Sequence, residues 1–296
     1  MTVEQPGSAP SPDKGSALGK GVDLAQTEVE SLFAQRLAEA FASLGCFNLA
    51  VFGKTGVGKS TLVNAVFGSQ VAETGLGKPV TRGLVYYRHP GGLLGLYDSE
   101  GFETGTSGDE ILAALRSRVA ESRSLPVDQQ IHAAWYLVRW SDRRFEERQG
   151  DFVRALADLG LPVILVITQV PSRDGVPHPE AIEFAQYIES LGLPLRPAGR
   201  ALLTNALEDP FTASPVFGLQ ELLDATYLVV PEVATAALTA VQILDWERKR
   251  QAAKTIITQS VALAAGVGAA PIPFSDAALL VPTQVTMIAR ITAAYG

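Results

Sequence analysis

Apolar residues along the chain follow two rhythms. Short apolar or alternating runs at Phe47–Phe52, Leu84–His89, Leu93–Tyr97, Ile131–Trp140, Leu161–Thr168 and Ala201–Thr204 predict β-strands. Between most of them, Ile111–Glu121, Arg144–Leu159, Pro179–Leu191 and Leu219–Val229 carry apolar residues every three or four positions, which predicts amphipathic helices. Thr61–Phe67 is a further apolar helix start, and Val29, Leu32, Phe33, Leu37 and Phe41 share one face of a helix that leads into the first strand. After an initial hairpin-like pair, strand and helix alternate. Such alternation implies an α/β fold of three layers, a mainly parallel sheet covered on both faces, with ligands at the carboxyl ends of its strands.

The rhythm changes at Pro231, a residue suited to the first turn of a helix. From Glu232 to Gly296 the chain is rich in Ala, Val, Ile and Thr, and it predicts a helix of roughly 30 residues, a turn over G-A-A-P-I-P-F-S-D, and a final helix carrying Val281, Val285 and Ile288. Residues 1–24 are rich in Pro, Gly, Ser and Ala and read as a flexible tail without a signal peptide. The expected organisation is a tail at 1–24, an α/β domain at 25–230 and an all-helical C-terminal domain at 231–296. Between Lys254 and Asp276 lie 21 uncharged residues with Arg248, Lys249 and Arg250 upstream, a length and flank suited to a membrane helix. Thr255, Thr258, Gln259, Ser260, Pro271 and Pro273 interrupt that run and favour a soluble helical pair or peripheral attachment.

A chain of 296 residues with 47% hydrophobic composition can bury one large core and a smaller one. Its formal charge of -7 supplies no global attraction to nucleic acid, and no nucleic-acid partner is expected. The single cysteine, Cys46, can form no intrachain disulfide and reads as a small buried hydrophobe, a count that suits the cytoplasm.

The chemistry is concentrated after the first strand, where Gly53–Ser60 reads G-K-T-G-V-G-K-S. This is the phosphate-binding pattern G-x-x-x-x-G-K-[S/T], and it includes Lys54, Thr55, Gly56, Val57 and Gly58, with Thr61 continuing the contact surface. Glycines let successive N–H groups turn inward around a β-phosphate with no Cβ in the way. Lys59 then reaches β- and γ-phosphate oxygens, and the Ser60 hydroxyl is a ligand for Mg²⁺. Asp98 closes the run L-L-G-L-Y-D, 38 residues after Ser60, and begins D-S-E-G. An aspartate there can hold a metal-bound water while the Gly101 amide contacts the γ-phosphate. Thr81, in K-P-V-T-R-G, lies where a switch segment offers a threonine to Mg²⁺, although Thr74 and Thr104 compete for the role. Lys59, Thr81 and Gly101 are thus the expected catalytic positions, and Ser60, Thr81 and Asp98 the expected metal ligands.

With the phrases H-A-A-W-Y-L-V-R-W and L-P-V-I-L-V-I-T-Q-V, these motifs make residues 45–230 resemble the translation-factor-related P-loop GTPases, specifically the Era-like and dynamin-like branches. The phrase A-A-P-I-P-F-S-D-A-A-L-L-V-P-T-Q-V resembles the helical domain that follows certain bacterial Era-like members. The resemblance implies a protein that binds GTP and GDP with Mg²⁺ and hydrolyses GTP slowly as a conformational switch or assembly regulator. It implies as partners a second copy through the G domain, and a membrane surface or protein through the C-terminal helices. It also places Thr168 and Gln169 at the start of the guanine-reading segment, and Asn205 and Ala206 where a backbone amide contacts the base carbonyl.

Two positions depart from the family. Pro171 stands where an aspartate should accept from guanine N1 and N2, and Asp174 is the acidic residue available if the loop bends back. Phe102 stands where some relatives carry a water-orienting glutamine, so water positioning must come from a dimer partner or a backbone group. Arg82, Arg143 and Arg144 read as solvated, and His132 as a structural histidine. The missing acceptor leaves an ATP-dependent motor or kinase open, and Phe102 leaves a nucleotide-binding scaffold without turnover.

Overall fold

The computed structural model describes residues 14–68, 78–81, 84–89, 91–99, 108–122, 124–208, 213–268 and 276–296. In chain order the helices are α1 (Lys14–Leu44), α2 (Lys59–Phe67), α3 (Gly108–Ser122), α4 (Glu147–Asp158), α5 (Pro179–Ser190), α6 (Leu219–Val229), α7 (Glu232–Val241), α8 (Trp246–Gly268) and α9 (Asp276–Tyr295). The strands are β1 (Phe47–Phe52), β2 (Lys78–Thr81), β3 (Leu84–Arg88), β4 (Leu94–Asp98), β5 (Ala133–Arg139), β6 (Val163–Thr168), β7 (Ser172–Arg173), β8 (Val176–Pro177) and β9 (Ala201–Leu203).

Seven strands form one sheet in the order β2-β3-β4-β1-β5-β6-β9, while β7 and β8 make a separate small hairpin. The β4-β1-β5-β6-β9 pairs are parallel; β3 runs antiparallel to β4, as the hairpin-like pair predicts, and antiparallel to β2 on its other side. Side-chain alternation divides the strands between two cores. Ala50, Phe52, Ala134, Tyr136, Val138, Leu165 and Ile167 belong to the core that also holds residues of α3, α4 and α5. Phe47, Leu49, Val51, Trp135, Leu137, Ile164 and Val166 belong to the opposite core with residues of α2, α6 and α7. Burial on both faces explains why β1, β5 and β6 read as almost continuous apolar runs.

Three expectations change. Helix α1 starts at Lys14, so the tail reading holds at most for residues before it; Pro12 is the last proline of that segment, and nothing from there to Leu44 removes a backbone donor. Strand β2 is missing from the expected elements, because four residues with a proline carry too short a pattern. The long helix after Pro231 is two helices, broken at Gln242–Asp245 by a side chain that periodicity does not register. Gln242 is fully buried; its Oε1 accepts from the Leu244 and Asp245 amides at 2.7 Å, and its Nε2 donates to Asp245 O at 2.9 Å. Asp245 then caps α8 by accepting from the Arg248 amide at 2.9 Å. The proline-containing turn lies outside the described residues.

Helix α7 packs into the sheet core through Ala234, Ala237, Leu238 and Ala240, all fully buried. Helices α1 and α8 each pack on α9, which also touches α7. Lys249 of α8 ties these helices together, donating to Ala240 O at 2.7 Å and Tyr295 O at 2.6 Å. On α9, Val285 is buried with Ala289 and Ala293, whereas Val281 and Ile288 are exposed.

Candidate nucleotide site

The loop between β1 and α2 sits at the carboxyl end of the central strand, where β1 lies between β4 and β5. Gly53 has φ 144°, and a Cβ there would stand 2.6 Å from Leu137 O; Gly58, the N-cap of α2, has φ 91°. Both positions demand glycine. The first-turn amides of α2 and the positive end of its dipole face the same space, a ready site for anionic oxygens. Lys59 Nζ donates to Gly53 O at 3.0 Å, which uses one of its three donors and folds the ammonium back over the loop. Lys54 Nζ pairs with Glu146 at 3.0 Å, and Glu146 caps α4, so the outer turn of the loop is tethered to the neighbouring helix. Thr55 and Gly56 are exposed at the loop's apex, and Val57 is buried beneath it.

Lys59, Ser60 and Asp98 line one small recess floored by Val51, Val63 and Leu96. One hydroxyl and one carboxylate beside a phosphate cradle fit Mg²⁺, a hard cation that completes its shell with phosphate oxygens and water. Thr81 ends β2 and pairs with Leu84 in the sheet. Gly101 lies outside the described residues, as do Arg82 and Phe102.

A cavity of about 580 Å³ opens beside the loop, between Gly58 and Thr61 on one side and the ends of β5, β6 and β9 on the others. Thr168 and Gln169 join its wall to the phosphate loop: Thr168 Oγ1 donates to Val57 O at 2.6 Å, and Gln169 Nε2 donates to Gly56 O at 3.0 Å. Gln169 holds φ 57°, a left-handed conformation uncommon outside glycine, which turns the chain sharply at the end of β6. Asn205 and Ala206 form the facing wall. The Asn205 Nδ2 group donates to Pro215 O at 2.9 Å, and its backbone exchanges hydrogen bonds with Phe217. The structure therefore brings together Gly58, Thr61, Thr168, Gln169, Asn205 and Ala206.

Pro171 also lines this cavity, but Asp174 does not; it sits with φ 52° in the turn between β7 and β8. Sequence reasoning passes over Trp140 and Glu208, which both line the cavity. The aromatic residue at the end of β5 could have drawn notice by its place at a strand's carboxyl end; Glu208 carries no local pattern. Arg143 is committed elsewhere, paired with Glu180 and lying 5.4 Å from the Trp140 ring centroid.

A larger hollow of about 690 Å³ lies around His132, Pro162 and Arg196 at the amino ends of the strands. That end of an open α/β sheet is not where ligands bind, and the phosphate loop is at the other. His132 there is structural: Nδ1 accepts from the Asn48 amide at 3.0 Å, Nε2–H donates to Val127 O at 2.7 Å, and burial lowers its pKa from 6.5. Cys46 is buried, and its thiol is pushed up to about 11 by desolvation. Among the described residues no helix is long and apolar enough to cross a membrane.

Residues 48–169 match the 50S ribosome-binding GTPase family. GTPase Era of Stenotrophomonas maltophilia is 27% identical over 191 residues, 60% of this chain and 60% of that protein. Among solved structures, a point mutant of Aquifex aeolicus Era bound to GDP·AlF4⁻ is similar with a TM-score of 0.42 at 19% identity, covering 64% of this chain and 58% of that one. A dimerization-deficient mutant of Toc33 from Arabidopsis thaliana gives a TM-score of 0.42 at 18% identity, covering 69% of this chain and 92% of that one. The chain thus spans about 60% of the length of the curated relative it matches. The glycine-dependent loop at the end of β1 lies within residues 48–169, and over that stretch the chain is similar to the 50S ribosome-binding GTPase family.

Proposed function

We propose that the protein binds GTP and GDP with Mg²⁺ and hydrolyses GTP slowly, as a conformational switch or assembly regulator. The observation that carries this reading is the bonding of Thr168 and Gln169 to the phosphate loop at Val57 and Gly56, because it ties the wall of the 580 Å³ cavity directly to that loop. In that arrangement the loop amides and Lys59 would neutralise β- and γ-phosphate charge, and Ser60 and Asp98 would hold a Mg²⁺ that supplies further positive charge there. Thr81 and Gly101 complete the γ-phosphate contacts in this reading. With Phe102 beside Gly101, water is positioned by another group, which makes low turnover in the isolated chain the expected state.

The helical end supplies the surface for partners. Ile257, Val261 and Leu263 on α8 and Val281 and Ile288 on α9 are exposed apolar residues, suited to a second copy, another protein or a lipid surface. Calorimetric titration of the full chain with GDP, a GTP analogue and an ATP analogue, each with Mg²⁺, tests the nucleotide reading. Micromolar guanine-nucleotide binding with weaker adenine-nucleotide binding is the expected result. Equal affinity for both bases would remove the guanine assignment.

A further inference from the structure

We propose that Glu208 replaces the missing guanine acceptor, so that the carboxylate reading the base comes from the loop after β9 and not from the loop after β6. The inference rests on the nucleotide reading above and adds to it the residue that selects the base. Pro171 occupies the expected acceptor position and contributes a ring with neither an acceptor side chain nor an N–H. Asp174 lies in the β7–β8 hairpin turn and does not line the cavity. Glu208 is the one carboxylate among the described residues lining the cavity, it is exposed there, and no hydrogen bond or ion pair among the described residues engages it.

Three other polar side chains of the wall are already committed. Thr168 donates to Val57 O, Gln169 to Gly56 O, and Asn205 to Ser214 O and Pro215 O. Guanine presents two adjacent donors, N1–H and N2–H₂, and an ionised carboxylate is an acceptor-only group that can take both. Adenine presents a bare N1 lone pair at the same edge and would face the carboxylate with acceptor against acceptor. Ala206, two residues before Glu208, lines the same cavity, and its amide suits the guanine carbonyl. One short loop, anchored by the Asn205 side chain, would then supply both the donor and the acceptors that define guanine.

The test is calorimetric titration of the full chain and its Glu208→Gln and Glu208→Ala variants with GDP, ADP and xanthosine diphosphate, each with Mg²⁺. Glu208 is exposed, so both variants should fold, and thermal midpoints beside the wild type verify it. Both substitutions should weaken GDP about 10- to 100-fold and leave ADP nearly unchanged. Glu208→Gln alone should gain xanthosine diphosphate binding, because its amide N–H₂ can donate to the carbonyl that xanthine carries in place of the guanine amino group. A wild type that prefers GDP, with a GDP to ADP ratio unaltered in both variants, would overturn the role of Glu208 while leaving the nucleotide site standing. A wild type that binds neither nucleotide overturns the underlying reading and this inference with it.

Discussion

The phosphate end and the base end of the site are built from different material. On the proposed reading the contacts at the phosphate end come from backbone amides of one continuous loop plus Lys59 and Ser60, and the geometry depends on left-handed or crowded positions such as Gly53 and Gly58. At the base end the wall is assembled from side chains at the ends of β5, β6 and β9, held in place by hydrogen bonds from Thr168, Gln169 and Asn205. A ligand held by backbone constrains which residues may occupy each position of the loop, so its chemistry imprints a spacing. A ligand read by side chains can be served from any neighbouring loop that reaches it, so the spacing can change while the chemistry stays.

Lys59→Ala attacks the contrast most directly. We expect nucleotide affinity to fall by about 3 kcal/mol, more than 100-fold, with an unchanged thermal midpoint, since the lysine's hydrogen bond among the described residues is a single one to Gly53 O. Calorimetry that found wild-type affinity in the folded variant would break the phosphate assignment. Gly53→Ala should act on fold and ligand together, because its Cβ meets Leu137 O at 2.6 Å and its φ is 144°. Destabilisation of about 2 kcal/mol in urea titration is expected, alongside lost nucleotide binding.

Thr168→Val asks how tightly the two ends are joined. Removing the donor to Val57 O, inside a wholly buried contact, should cost about 1–2 kcal/mol of stability and loosen the phosphate loop. Limited proteolysis or hydrogen exchange at residues 53–58 would report it, and unaltered protection would mean that the ends act independently.

The smallest effect lies far from the nucleotide and serves as a control for both ends. Burial lowers the His132 pKa from 6.5, so the unfolded chain takes up a proton in acid that the folded chain refuses. The stability linked to this group is complete above the unfolded value and declines as pH falls through the depressed folded value. Urea midpoints of wild type and His132→Gln, measured downward from about one pH unit above the ordinary histidine range, should converge with acid while GDP affinity stays equal. A gap that stayed constant would show that the ring's protonation is not coupled to folding.

Much of the fold is legible because its strands are buried on two faces. β1 is readable residue by residue from F-N-L-A-V-F, and β6 from its V-I-L-V-I-T core. What escapes depends on long-range partners. The break at Gln242 exists because one side chain turns back to satisfy three backbone groups, and a glutamine in an apolar helix pattern looks like a solvated position until it is buried. At the site, the phosphate loop is readable from its own spacing, and Asp98 shares a recess with Ser60 at the strand end where the sequence puts it. Glu208 is not readable, because it has no fixed distance in sequence from the loop it faces, and Trp140 is marked only by its place at the end of β5.

Helix α7 belongs by sequence to the tail and by packing to the sheet, with Ala234, Ala237, Leu238 and Ala240 sealed against strands that begin nearly two hundred residues earlier. A fragment ending at Val230 would leave that wall of Phe47, Leu49 and Val51 open to water and invite aggregation, so a shorter chain that behaves well has to run through Gln242. The same shared wall makes melting a communal event. Nucleotide bound at one end should raise the temperature at which the helices at the other end come apart, and a calorimeter should record one heat-absorption peak where a chain of two free-standing parts would give two.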